Sequence, residues 1–479
     1  MIDGLMPYAS YRTSAHPWLG AVPAHWAEKR AKCFFREIDE RSTTGKEELL
    51  SVSHKTGVTP RPQHVTMFKA ESNIGHKICR PADLAINTMW AFMGALGVSR
   101  QLGVVSPAYG VYRPINDGEL QPKYVDHLLR TDVYKSEYLC RSTGIRSSRL
   151  RLYPEQFLRI PILCPPPEEQ AAIVRFLDHA DRRIRRYIRA KRQLIALLNE
   201  QKQAIIHCAV TRGLDPHVKL KPSGVEWLGD VPEHWGRLRL KDVAHIQTGI
   251  TLGKSYRGVE VVDRPYLRVA NVQAGHVDLS EIKTVSVPRS EIDGSELNAG
   301  DVLMTEGGDI DKLGRGCIWR GEIEGCLHQN HVFAVRPDQK RLLPEFLALV
   351  TESRHGRSYF EVTAKKTTNL AATNSTKVRE FPLFLPSVFE QTLILKEVDE
   401  KAAVIREALA QAEHELNLLR DYRTRLIADV ITGKLNVQVA AAALPDELDE
   451  VEPDTEELLD ESDMTDDAGL DTEPEEIEA

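Results

Sequence analysis

The stretch His16-Pro-Trp-Leu-Gly-Ala-Val-Pro-Ala-His-Trp26 returns 209 positions later as Val225-Glu-Trp-Leu-Gly-Asp-Val-Pro-Glu-His-Trp235. A second echo follows each copy. Glu169-Gln170 and the closing Val210-Thr-Arg-Gly-Leu214 match Glu390-Gln391 and Ile431-Thr-Gly-Lys-Leu435, now at an offset of 221. Each half is therefore an opening motif, a long variable block and a long helix. One chain carrying two such copies can mimic a symmetric dimer, which predicts a pseudo-two-fold molecule. The blocks between the copies barely resemble each other. A shared frame around divergent inserts reads as a scaffold that presents two different recognition surfaces.

Charge sharpens this reading. The 479 residues carry a formal net charge of −8, but 18 of the 70 acidic residues lie in 446–479, which has no Lys or Arg. Without that segment, 62 basic residues face 52 acidic ones. A basic body suits a nucleic-acid partner. The segment itself is too polar to bury a core and reads as a disordered tail, either a solubilising appendage or a competitor of phosphate. No run of about 18 apolar residues exists, so no membrane span is expected. The first twelve residues lack the pattern of a signal peptide. Seven cysteines without a Cys-x-x-Cys pair read as reduced, cytoplasmic thiols.

Pro165-Pro-Pro-Glu-Glu-Gln170 is a helix start, and no Pro or Gly interrupts Glu168 to Thr211. Ile173, Leu177, Ala180, Ile184, Tyr187, Leu194, Leu198 and Ile205 recur at spacings near three and four. The second copy is cleaner, with Leu395, Val398, Ala402, Ile405, Leu409, Ala412, Leu416, Leu419, Leu426 and Val430 broken only at Arg423. Neither seam can stay exposed, so the two helices are expected to pack against each other, antiparallel. In the blocks, Tyr266–Ala270, Asp301–Met304, Cys317–Trp319 and His331–Val335 read as strands, as do Asp83–Asn87 and Tyr109–Arg113. Gly300–Thr305 lines up with Pro81–Thr88, and Val335-Arg-Pro337 with Tyr112-Arg-Pro114, so the blocks read as distant versions of one α+β fold.

At these residues the chain resembles the specificity subunit of a type I restriction–modification enzyme. The duplicated Trp-Leu-Gly-x-Val-Pro-x-His-Trp carries most of the likeness. Leu252–Ser255, Thr305–Gly316, Gln329–Phe333, Thr367–Ser375 and the Pro-x-x-x-Glu-Gln helix starts carry the rest. The resemblance covers everything but the acidic tail. It implies two target-recognition domains in a pseudo-two-fold arrangement, separated by two long antiparallel coiled-coil helices. The expected divisions are 1–164 and 215–386 for the recognition domains, 165–214 and 387–437 for the helices, and 438–479 for the tail. The implied subunit is a non-catalytic adaptor on double-stranded DNA that reads a bipartite, asymmetric site. Two modification subunits and restriction subunits would do the chemistry, and S-adenosylmethionine, ATP and Mg would sit on those partners.

The rival reading is a stand-alone restriction or modification enzyme. An adenine methyltransferase needs an Asn/Asp-Pro-Pro-aromatic tetrapeptide, which is missing. Gly249-Ile-Thr-Leu-Gly-Lys-Ser255 has three residues between its glycines where a P-loop has four. Asp309, Asp311 and Lys312 read as a Gly-rich turn before they read as a nuclease cluster. A structural coiled coil without a DNA role would leave the basic body unexplained.

Base edges are read by Arg, Lys, Asn, Gln, Ser and Thr, and phosphates are held by Arg, Lys, hydroxyls and backbone N–H groups. The first block offers Arg41, Lys46, Asn87, Thr88, Trp90, Tyr109 and Arg146 as DNA-binding candidates. The second offers Lys254, Tyr256, Arg257, Arg268, Asn271, Thr305, Glu306, Lys312, Arg315, Asn330, Lys366, Thr368 and Asn369. The four Trp of the repeats read as packing between recognition domain and helix, with His25 and His234 as hydrogen-bonded structural residues. The basic run Arg182–Arg189 suits phosphate, a partner subunit or solvent.

Overall fold

The computed structural model describes residues 5–61, 72–116, 118–144, 150–254, 256–273, 275–308, 313–314, 316–366 and 371–445. The chain divides into two compact units, Met1–Arg189 with Leu416–Ala479, and Ala190–Glu415. Each long helix, Pro167–Arg212 and Val388–Ile431, therefore gives one half to each unit.

In the first unit a four-stranded antiparallel sheet runs in the order Phe35–Glu37, Gly110–Pro114, Leu84–Ile86, Leu96–Val98. The second unit repeats it as Ala244–Thr248, Val332–Pro337, Val302–Thr305, Gly316–Ile318. The repetition extends to single side chains. Buried Asp83 takes both arms of Arg113 at 2.9 Å and a hydrogen bond from the Arg80 N–H. Buried Asp301 takes both arms of Arg336 at 2.8 and 2.7 Å and a hydrogen bond from the Asn298 N–H. A buried carboxylate survives only with such partners, so the two pairs mark the same place in two cores. Helices Pro122–Leu129 and Asp132–Arg141 in one unit correspond to Pro344–Glu352 and Arg354–Thr363 in the other.

The opening motif closes each unit onto its helix. Trp26 is buried and donates its indole N–H to Glu169 at 3.0 Å, while His25 Nε2 lies 2.8 Å from the same carboxylate. Trp235 and His234 meet Glu390 in the same way, both at 3.0 Å. The next residue is a plug. Gln170 donates to the carbonyls of Glu119 and Pro165 and accepts from Gln121 N–H. Gln391 donates to those of Arg341 and Pro386 and accepts from Leu343 N–H. The duplicated Glu-Gln is thus a structural clamp, and the Trp and His residues are packing groups, as the pattern implies.

Within the first unit, Ile173, Phe176, Leu177, Ala180 and Ile184 share one core with Leu426, Val430 and Ile431. Trp26 holds Glu169 and packs on the Gly433 turn, while Asp181 meets Arg423 further along, so the two helix halves run antiparallel. Arg423, the one break in the second seam, is explained by that contact. Burial opposes ionisation of Asp181, but Arg423 and Arg185 overcome it and hold its carboxyl below the usual range. In the second unit Lys191 pairs with Glu415, and Gly213 lies beside Glu390, again antiparallel. The seams differ from expectation in detail. Tyr187 and Leu194 are exposed, and Ile206, Ala209 and Val210 are buried where Ile205 was expected.

Each long helix ends on a glycine with positive φ, Gly213 at 73° and Gly433 at 80°, which only glycine adopts without strain. These turns pack on Trp235 and Trp26 respectively. The tail boundary needs correction. Gln438–Ala442 is a short helix whose Ala440 and Ala441 are buried in the first core, because this stretch is alanine-rich and uncharged, unlike the acidic run after it. Residues 446–479 lie outside the described residues.

Candidate nucleic-acid interface

In the second unit the strand register collects loops that are far apart in sequence. Ile250 bridges Gln329, and Asn330 N–H donates to Ile250, which lays the loop after Gly249 along 329–331. Glu306 N–H donates to His331, and the Glu306 carbonyl accepts from Thr373 N–H. Gly307–Gly308 pairs with Ala371–Ala372, which pairs with Lys365–Lys366. One edge therefore presents Lys254, Glu306, Asn330, His331, Lys365 and Lys366. Lys365–Lys366 is one outer strand of this three-stranded antiparallel set, and Glu306 immediately precedes the other.

Electrostatics order this edge. Glu306 lies 2.5 Å from His331 Nδ1, which fixes the carboxylate while leaving it partly exposed. Lys254 Nζ is 3.1 and 3.2 Å from the Glu291 oxygens, and the Tyr256 hydroxyl donates to Glu291 at 3.1 Å. Glu291 carries no sequence signal. It reaches the site only through the pairing of Val261–Leu267 with Lys283–Pro288. Arg257 is exposed, and Lys366 is exposed with Glu361 at 3.8 Å. Arg268 pairs with Glu281 at 3.2 Å.

Other candidates belong to the fold. Asn271 is buried, accepts from Arg268 N–H at 2.8 Å and donates to the carbonyls of Asp278 and Glu281 at 2.8 and 3.0 Å. Thr305 is buried at the end of its strand. The P-loop lookalike has a packing cause as well. A Cβ on Gly249 would lie 1.9 Å from the His328 carbonyl oxygen, so glycine is there to let two strands touch.

The first unit assembles the corresponding edge from Thr88, Ala108 and the bridged residues Thr143 and Arg151. The Thr88 hydroxyl donates to Ala108 at 3.1 Å, and the Thr88 carbonyl accepts from Leu152 N–H. Thr143 bridges Arg151. Asn87 and Tyr109 are buried, and the Asn87 amide donates to the Tyr109 hydroxyl at 3.0 Å, so both are packing groups. Trp90 is half-buried and stacks on Phe92 with ring centroids 6.0 Å apart. Arg41 and Lys46 are exposed on a different loop pair, where Arg41 donates to Asp39 and to the Gly75 carbonyl. Arg146, Lys312, Arg315, Thr368 and Asn369 lie outside the described residues, as do Asp309 and Asp311. Among the described residues, no group of three His, Cys, Asp or Glu side chains could hold a metal, and no helix is long and apolar enough to cross a membrane.

No family model matches the chain. The type I restriction enzyme EcoKI specificity subunit of Escherichia coli is 23% identical over 337 residues, covering 69% of this chain and 68% of that protein. The StySPI specificity subunit of Salmonella potsdam is 21% identical over 332 residues, covering 69% and 68%. The chain is thus similar to type I restriction enzyme specificity subunits over about two thirds of its length. A solved chain from work on complex assembly and conformational transition of the type I R-M system shares the fold. It has a TM-score of 0.61 at 16% identity and covers 86% of this chain and 98% of that one.

Proposed function

We propose that this chain is the non-catalytic, sequence-reading subunit of a type I restriction–modification complex. Each unit reads one half of a bipartite, asymmetric DNA site. Two modification subunits methylate adenine with S-adenosylmethionine, and restriction subunits translocate and cut with ATP and Mg; these cofactors belong to the partners. The observation that carries the reading is the contrast between frame and edge. The Asp–Arg pair and the Glu–Gln clamp are repeated side chain for side chain, whereas the equivalent strand ends carry Thr88 with Ala108 in one unit and Glu306 with His331 in the other. Conserving the frame while changing the reading groups is how one scaffold recognises two unlike half-sites.

The test is to produce the full chain with its modification subunits in a host lacking adenine methylation and to map methylated adenines. A two-part motif is expected. Exchanging residues 27–160 for the block of a related chain should change one half and leave the other. Methylation or cleavage by the purified chain alone, or both halves changing together, would overturn the reading. The long helices are the proposed spacer. Seven residues added to one of them lengthen it by about 10 Å, roughly three base pairs, so the gap within the site should change.

A further inference from the structure

The repeated Asp–Arg pairs give a common ruler for both sheets. Five residues after the aspartate stand Thr88 and Glu306, and five before the arginine stand Ala108 and His331. The register agrees, since Leu84 faces Tyr112 in one sheet as Val302 faces Val335 in the other. Both pairs therefore close the same two strands at the same end, with different chemistry. The Thr88 hydroxyl donates to the Ala108 carbonyl at 3.1 Å, and Ala108 adds only a methyl group. At the other edge His331 Nδ1 lies 2.5 Å from Glu306, with the two side chains 53% and 31% exposed. The Glu306 backbone is fixed on both sides, its N–H donating to the His331 carbonyl and its own carbonyl accepting from Thr373 N–H.

An ionised carboxylate only accepts hydrogen bonds and has room for about four, so the bond from His331 orients Glu306 without using it up. Nδ1 is the donor in that bond, which leaves Nε2 of the neutral ring an acceptor as well. A surface that only accepts suits an amino group and clashes with bare oxygens and ring nitrogens. In the major groove guanine shows acceptors alone, and thymine an acceptor and a methyl group. Adenine shows an amino group beside the N7 acceptor, and cytosine an amino group alone. We infer that Glu306 is a specificity-determining residue that selects a cytosine, through its 4-amino group, in the half-site of the second unit. His331 is its positioning residue. The inference rests on the proposed reading of each unit as the reader of one half-site. At the equivalent place the first unit has no carboxylate, so this selection is confined to one half.

The experiment uses the full chain assembled with its modification subunits, titrated on duplexes of the methylated motif. The half belonging to the second unit is the one that survives exchange of residues 27–160. N4-methylcytosine, placed at each cytosine of that half in turn, keeps its pairing with guanine but replaces the groove-facing amino hydrogen by a methyl group. At one position the wild-type complex should bind roughly tenfold or more weakly, the size of one good base contact, and Glu306→Ala should bind both duplexes alike. His331→Ala should lose most of this discrimination, and His331→Gln, which can still donate to the carboxylate, should keep it. In maps of methylated adenines, Glu306→Gln should admit adenine at that position, because an amide matches its N6 and N7, and leave every other position unchanged. If no cytosine of that half responds in the wild type, or Glu306→Ala responds equally, or Glu306→Gln alters a different position, the inference is overturned while the half-site reading stands. A motif without two parts overturns that reading and the inference with it. The wild-type scan needs no substitution, so it decides even where a variant fails to fold.

Discussion

The two units use one clamp under different constraints. In the second unit the chain runs covalently from the end of the first helix, through 213–219, into the opening hairpin, and Glu390 serves two partners with its side chain 24% exposed. In the first unit the corresponding junction is between opposite ends of the chain. Met6 pairs with Asn436, the Tyr11 hydroxyl donates to the Lys434 carbonyl, and Glu169 takes a third hydrogen bond from Tyr8 while only 4% exposed. Burial and the Glu169 carboxylate hold the Tyr8 phenol well above its ordinary pKa, so it stays a donor. Where the backbone does not make the connection, extra side-chain bonds and the buried helix Gln438–Ala442 replace it.

The sharpest way to break this comparison is to remove the clamp from each unit. Glu169→Ala strands the buried Tyr8 and Trp26 donors and should cost the first unit about 3–5 kcal/mol, whereas Glu390→Ala should cost the second about 1–3. Hydrogen exchange resolved by peptide reads each unit separately, and equal losses would mean that the junctions are equivalent. Next in size is the closure itself. A stop after Lys434 removes buried Val437, Ala440 and Ala441 and should cost the first unit about 3 kcal/mol, while a stop after Pro445 should leave its stability unchanged. Urea unfolding of the two truncations distinguishes them.

Acid should weaken the second unit through one buried histidine. His355 is buried between the Trp227 indole, the Pro382 carbonyl and the rings of Phe381 and Phe384, with His207 nearby, and burial lowers its pKa to about 4. The folded state therefore binds fewer protons than the unfolded state between these values. Stability from this group is complete above its ordinary value of about 6.5 and is lost as pH falls toward 4, by up to about 1.4 kcal/mol per unit. Comparing wild type with His355→Asn across that window should show a shallower fall in the variant; parallel curves would remove His355 as the cause. The smallest effect is at the edge. Lys365→Ala or Lys366→Ala should weaken cognate and scrambled duplexes alike and lower the salt slope of binding by about one each, in titrations of the assembled complex. A loss confined to the cognate duplex would instead make the ribbon a reader of bases.

Much of the frame is legible in one dimension. The repeats announce two copies, the heptad-like spacing announces the helices, and the short alignments around Asp83 and Asp301 identify equivalent strands before any contact is known. Position within the edges is less legible. Asn87 and Asn271 have the chemistry of base readers, but polarity alone does not say whether an amide faces solvent or caps a turn, and both are buried on intramolecular partners. Lys46 and Lys366, with the same weak sequence signal, are exposed. Gly249 looks like part of a phosphate loop until the carbonyl of His328 is seen against it.

What the sequence determined by itself is whatever repeats locally: side-chain periodicity, helix starts and stops, and the charge imbalance between body and tail. Only the tertiary structure decided which distant residues meet. Glu306 and His331 are 25 residues apart and become neighbours because two antiparallel strands share a register. Glu291 reaches Lys254 and Tyr256 through another strand pair, and Met6 reaches Asn436 across nearly the whole described chain. Such pairings are set by the burial of whole strand faces, a collective energy that no single residue carries and no short motif displays.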